Sequence, residues 1–212
     1  MPGSHAMHPA ACLCMKSQMD SVVPFLVDEV SKFKIGDPRD PKTTMGPIAN
    51  PSQFESIQRY IQIGIDEGAR MVCGGTGRPE GFNRGFFTKP TVFIDVTPEM
   101  TIAREEIFGP VLAVMPYSTE AEALEIANGL PFGLGGYVFS NDRKKSYEFA
   151  SGLRAGRVAF NGAATNSVSP MGGYRQSGIG REMGVFGLEE YLEVKSVYGF
   201  EDEAAQLPSL HG

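Results

Sequence analysis

Early in the chain, apolar positions recur at helical spacing. Val22, Val23, Leu26, Val27, Val30 and Phe33 fall on one stripe, which predicts an amphipathic helix opening at Asp20 as its N-cap. Pro24 lies in the first turn, where a missing N–H costs little, and Gly36-Asp37-Pro38 stops the segment. Residues 1–18 show no period, so irregular structure is expected there. A polar, Pro-bearing connection leads to Asn50, which reads as the N-cap of a second helix with Pro51 at its first position. Phe54, Ile57, Ile61 and Ile65 stripe that helix and Gly68 ends it. Arg70–Cys73 reads as a short strand and 74–85 as a Gly-rich loop. The stretch 86–96 reads as another strand pair or an extended segment, and Pro90 confines it to an edge or a break.

From residue 110 the alternation becomes regular. An apolar strand over 110–117 meets Thr119-Glu120-Ala121-Glu122, a capping box. The helix it opens closes at Asn128-Gly129. A strand at 134–139, a helix capped by Asn141-Asp142 and running to Ala150, and a strand at 156–161 follow. Strands and helices joined by short links predict right-handed crossovers and an α/β fold, a three-layer, mostly parallel sheet flanked by helices. Residues 162–184 are rich in Gly, Ser and Asn. Loops leaving the carboxyl ends of strands form binding crevices in such folds, whereas the plain alternative is a surface loop whose glycines serve turns. Tyr191–Phe200 alternates as an exposed strand in need of a partner.

Composition narrows the function classes. A formal charge of -6 over 212 residues and an isoelectric point near 5.2 argue against a nucleic-acid partner, which would want a basic face. No apolar run approaches membrane-spanning length, so no membrane partner is expected. The three cysteines lack framework spacing and fit a reducing cytoplasm. Histidines occur only at positions 5, 8 and 211, so no metal site is expected. Met1–Met7 has the composition of a cloning remnant ahead of a second start. The Gly-rich loop has no Gly-Lys-Ser/Thr and opens no helix, so it reads as a turn and not as a phosphate cradle.

The densest candidate chemistry is Arg104-Glu105-Glu106-Ile107-Phe108-Gly109-Pro110, just ahead of the 110–117 strand. A carboxylate there can accept hydrogen bonds from sugar hydroxyls, and an aromatic two residues on can pack against a flat, partly charged ring. The other reading makes both glutamates solvated loop charges and Phe108 a core residue. Glu105 to Val111 resembles the signature of the NAD(P)-dependent aldehyde dehydrogenase superfamily. Its companions come in the family's order: Ile35-Gly36-Asp37-Pro38, Met45-Gly46-Pro47, Gly85-Phe86-Phe87, Pro90-Thr91-Val92, Asn128, Phe132-Gly133-Leu134, Pro170, Gly172-Gly173-Tyr174, Ser177-Gly178 and Tyr191-Leu192-Glu193-Val194-Lys195. The likeness spans about Asp20 to Tyr198 and implies the C-terminal, catalytic-type half of such an enzyme.

That resemblance implies oxidation of a small aldehyde. In the family a cysteine thiolate adds to the aldehyde, hydride passes to NAD or NADP, and a Glu-activated water hydrolyses the thioester. Glu106 would accept from the nicotinamide ribose hydroxyls, Phe108 would pack beside that ribose and ring, and Gln53 would help hold the ribose. Ser56 stands where many members carry Lys. Asn161, the 162–168 loop and Met171 would wall the aldehyde tunnel. The family's nucleophile sits in a Gly-Gln-x-Cys context, and counting back from Gly36 lands in Gly3–Met7, where no Cys occurs. Cys12 and Cys14 lack that context and are expected to be inert, as is a buried Cys73. No catalytic residue is therefore assigned. The family's dinucleotide-binding half, its general base and its oxyanion Asn lie upstream of the nucleophile and are not among these residues, so the N-terminal half is an expected partner.

The expected organisation is a leader at 1–18, an aldehyde dehydrogenase catalytic-type domain at 19–190, an oligomerisation strand at 191–200 that pairs with another copy, and a tail at 201–212. Two alternatives stand beside it. One is a non-catalytic assembly module on the same fold; the other is a nucleotide-binding domain built on the Gly-rich segments.

Overall fold

A computed structural model describes residues 11–164 and 166–199. Two strands flank a third in parallel: β1 (Ala11–Met15) and β3 (Thr91–Ile94) both pair with β4 (Val111–Tyr117). β2 (Arg70–Cys73) adds to the far side of β3 in antiparallel sense, with an irregular register between Met71 and Cys73. The sheet order is therefore β1-β4-β3-β2.

Alternation along these strands sorts side chains into two cores. Phe93, Val111, Ala113 and Met115 join Ile57 and Ile61 of α2 (Pro51–Asp66) and Ile102 of the short α3 (Thr101–Arg104), with Ala11 and Leu13 packed against them. On the opposite face Cys14, Val92, Ile94 and Val114 meet Val22, Val23, Leu26 and Val30 of α1 (Met19–Ser31). Helix, sheet and helix form three layers, as the pattern predicted. Phe93 is wholly buried, and its register partner on β4 is Ala113. A Cβ added at Gly64 of α2 would lie 3.1 Å from its ring. Small neighbours thus make room for the largest core side chain, whose burial stabilises by roughly 1.5–3 kcal/mol.

Side-chain caps fix three of the helices, and a second, two-stranded sheet follows the first in the chain. Asn50 caps α2 as expected, its side chain accepting from the Gln53 N–H at 2.8 Å with Pro51 in the first turn. Thr119 caps α4 (Glu120–Asn128) by accepting from the Glu122 N–H at 3.1 Å, while the Glu122 carboxylate reaches back to the Ser118 N–H at 2.7 Å. Asp142 caps α5 (Arg143–Gly152) through the Lys145 N–H at 3.0 Å. β5 (Gly135–Val138) and β6 (Arg157–Phe160) pair in parallel across α5. Among the described residues the last helix is α6 (Gly184–Glu189).

Several expectations need correction. Residues 11–15 are not irregular: they form β1, and the sheet begins inside the segment read as a leader. Five residues carry too short a pattern to announce a strand whose partner lies a hundred residues away. Asp20 is in the first turn of α1 and not its cap, because a 3-10 turn at Lys16–Gln18 runs straight into the helix. The extended 86–96 stretch narrows to β3, which is interior and begins immediately after Pro90. The strands over 110–161 do not make one sheet, since β4 belongs to the four-stranded sheet and β5–β6 to a two-stranded one. Residues 191–199 form no strand among the described residues, and Tyr191, Val194, Val197 and Tyr198 are exposed. Exposed backbone of this kind is paired with water rather than with a neighbouring strand. Phe200 and the 201–212 tail lie outside the described residues.

Candidate functional site

The turn from Glu105 to Gly109 is shaped by one face of α2. Ile107 is buried in the core with Ile57 and Ile61. Gln53, a turn before Ile57, donates from Nε2 to the Phe108 carbonyl at 2.7 Å and to the Ile107 carbonyl at 3.3 Å. Tyr60, a turn after Ile57, donates its hydroxyl to Glu105 at 2.7 Å. Gly109 lies so close to the helix that an added Cβ would stand 2.6 Å from Ile57 Cδ1. Phe108 takes the left-handed conformation, with φ of 55°, an uncommon state for a bulky residue.

These contacts bear on the alternative reading at one point, the place of Phe108. Phe108 is not core: the residue is 66% exposed. Glu106 is exposed and makes no hydrogen bond or ion pair among the described residues. An unengaged carboxylate therefore stands two residues from an unengaged ring, on a backbone held by a helix. That donor-free pair suits a ribose diol and an adjoining flat ring. Glu105, by contrast, is already engaged by Tyr60. The Tyr60 phenol is held above its ordinary pKa, first by this hydrogen bond and then by partial burial.

Gln53 reaches the same turn but spends its amide on backbone carbonyls. Ser56 accepts from Arg59 Nη2 at 3.4 Å. Asn161 and Met171 lie elsewhere. Asn161, at φ 48°, donates to the Ser140 carbonyl at 3.0 Å and accepts from the Ser140 N–H at 2.9 Å. It lines an open groove of about 900 Å³ with Tyr147 and Phe160. Met171 is absent from that wall and instead exchanges backbone hydrogen bonds with Glu182 at 2.7 and 2.6 Å. No hydrogen bond joins either residue to the Glu106 turn.

Much of the remaining motif set holds backbone together. Asn128 donates to the Gly152 carbonyl at 2.9 Å and accepts from the Arg154 N–H at 2.8 Å, fastening the end of α4 to that of α5. The Gly133 carbonyl accepts from both Gly156 and Tyr174 N–H groups at 3.0 Å. Gly156 passes so near the Gly172 carbonyl that a Cβ would overlap it, at 1.6 Å. Arg175 donates to the carbonyls of Asn128 and Leu130.

Cys14 is buried, and Cys12 and Cys73 are half-buried, all three free. Burial pushes each thiol above its ordinary pKa, and for Cys12 the neighbouring Cys14 adds to the effect. A protonated, desolvated thiol is a poor nucleophile; Cys73 is less buried than expected. Positions 3–7, where the family's spacing would put a nucleophile, lie outside the described residues. Tyr60 is the side chain that motif reading passed over. The only signal for it is the spacing 53, 57, 60 on α2, one helical face over two turns.

The family model described as "Aldehyde dehydrogenase family" matches residues 2–197. A 3-succinoylsemialdehyde-pyridine dehydrogenase of Pseudomonas sp is 45% identical over 199 residues, covering 94% of this chain and 42% of that protein. A mutant aldehyde dehydrogenase of Pseudomonas syringae, solved with NAD+ and octanal, superposes with a TM-score of 0.85 at 45% identity, over 87% of this chain and 38% of that one. A Mycobacterium tuberculosis aldehyde dehydrogenase complexed with NAD+ gives 0.83 at 46% identity, over 86% and 38%. The chain thus spans about 40% of the length of the curated relatives it matches.

Proposed function

Since this chain belongs to the aldehyde dehydrogenase family, we propose that its residues form the catalytic-type half of an NAD(P)-dependent enzyme that oxidises an aldehyde to a carboxylic acid. The observation that carries the reading is the exposed, unengaged pair Glu106 and Phe108 on a turn held by α2. The nicotinamide cofactor, when bound, supplies the hydride acceptor. Glu106 accepts hydrogen bonds from its ribose hydroxyls, and the Phe108 ring shields one side of the sugar and ring from water. Asn161, the neighbouring loop and Met171 contribute to the aldehyde's surroundings. The protein works in the cytoplasm, where its unpaired thiols stay reduced. The exposed apolar side chains of residues 191–199 support association with a further copy, the extended segment finding in another sheet the partners it lacks in its own.

The test is titration of the purified chain with nicotinamide mononucleotide, followed at the backbone amides of residues 105–109. Saturable shifts are expected there. A charge-assisted hydrogen bond contributes roughly 1.5–3 kcal/mol, so Glu106→Gln is expected to weaken binding about tenfold or more. Equal affinity for the two proteins, or shifts located elsewhere, would remove the assignment. The alternative of a non-catalytic module on this fold predicts no response to the mononucleotide at all.

A further inference from the structure

We infer that Tyr60 and Gln53, seven positions apart on α2, are the two positioning residues that set the conformation of the Glu106–Phe108 turn. The inference rests on the cofactor reading above and adds to it a device that no motif names. Gln53 donates its Nε2 to the Phe108 and Ile107 carbonyls at 2.7 and 3.3 Å. Tyr60 takes the carboxylate of Glu105 at 2.7 Å.

The geometry explains why two anchors are needed. Residues at i and i+7 stand on the same face of a helix about two turns apart, so the pair grips both ends of a short turn. Between them Ile107 inserts into the core against Ile57 and Ile61. Glu106, on neither anchor, is left projecting with its oxygens unspent. Phe108 holds a left-handed backbone, φ 55°, with its ring mostly in solvent. Such a state carries a cost of order 1–3 kcal/mol and persists only where surroundings over-determine it. The two Gln53 hydrogen bonds to consecutive carbonyls are the surroundings in question. Tyr60 also engages Glu105, so that of two adjacent exposed carboxylates one is held by a hydrogen bond and the other is not.

Backbone relaxation of the purified chain tests this directly. In the unaltered protein, residues 105–109 are expected to be as ordered as α2, with order parameters near about 0.85. Tyr60→Phe, which removes only a hydroxyl, and Gln53→Met, which keeps length without a donor, are each expected to lower the values at 106 and 108 toward about 0.6, with α2 and the sheet unchanged. Glu105→Gln retains an acceptor for Tyr60 and should preserve order, whereas Glu105→Ala should mimic Tyr60→Phe; equal order in the two would show that the Tyr60 contact does not hold the turn. The same variants that loosen the turn are expected to weaken nicotinamide mononucleotide binding severalfold. A turn that keeps its order in both Tyr60→Phe and Gln53→Met overturns the inference. If order falls but mononucleotide affinity does not change, the anchors set the turn as inferred, and it is the cofactor reading of that turn that loses its support. Glu106→Gln, which touches neither anchor, separates the two claims: unchanged affinity in that variant, with order intact, removes the cofactor reading itself.

Discussion

Cys14 sits between α1 and the sheet, and Cys12 lies on the same strand face two residues away. Burial raises both pKa values, and the sign matters for stability. A thiol whose folded pKa lies above its unfolded one contributes stability that is fully present below the unfolded value, about 8.5, and is lost as pH rises through the folded value. Iodoacetamide at neutral pH is therefore expected to label Cys14 at least about tenfold more slowly than an unhindered thiol, and Cys12 to lag as well. Quantifying the alkylated peptides by mass spectrometry against the urea-unfolded chain checks this. Fast labelling of either in the folded protein would mean a thiolate is present, and with it a nucleophile that the structure gives no reason to expect.

Among the elements, α2 carries the greatest responsibility. Its buried face holds Ile57 and Ile61 in the core, and it reaches the turn through Gln53 in its first turn and Tyr60 near its middle. Gly109 closes this contact because no side chain fits between the turn and Ile57. Gly109→Ala is expected to destabilise the chain by about 1–3 kcal/mol, the usual cost of overpacking. The shift would be read from the urea midpoint at unchanged m-value. It should also displace Phe108, visible as altered amide shifts at 106–108. An unchanged midpoint would show that the turn can lift away from the helix freely. The caps at Asn50, Thr119 and Asp142 were legible in sequence because each is a local bargain between one side chain and an amide three residues on.

At the scale of the whole molecule, the isolated 212-residue chain is expected to yield no aldehyde-dependent NADH. Absorbance at the nicotinamide band, with an intact family member as control, is the measurement; turnover near that control would refute the expectation. Helices, caps and the three-layer arrangement could be read from periodicity, and the motif spacing pointed to the family. Partnerships across long sequence distance could not: nothing in Ala11–Met15 announces β4, and nothing in the regular 110–161 alternation announces that β4 and β5 belong to different sheets. Side-chain bookkeeping was equally hidden, as with the Gln53 amide committed to carbonyls and the Asn161 amide committed to Ser140. The place of β1 has a practical result for anyone trimming this protein. A version begun at Met19 would strip one whole flank from Val111–Tyr117 and vacate the seat of Leu13. A protected interior ribbon would then become a bare rim, able to recruit stray chains and to clump.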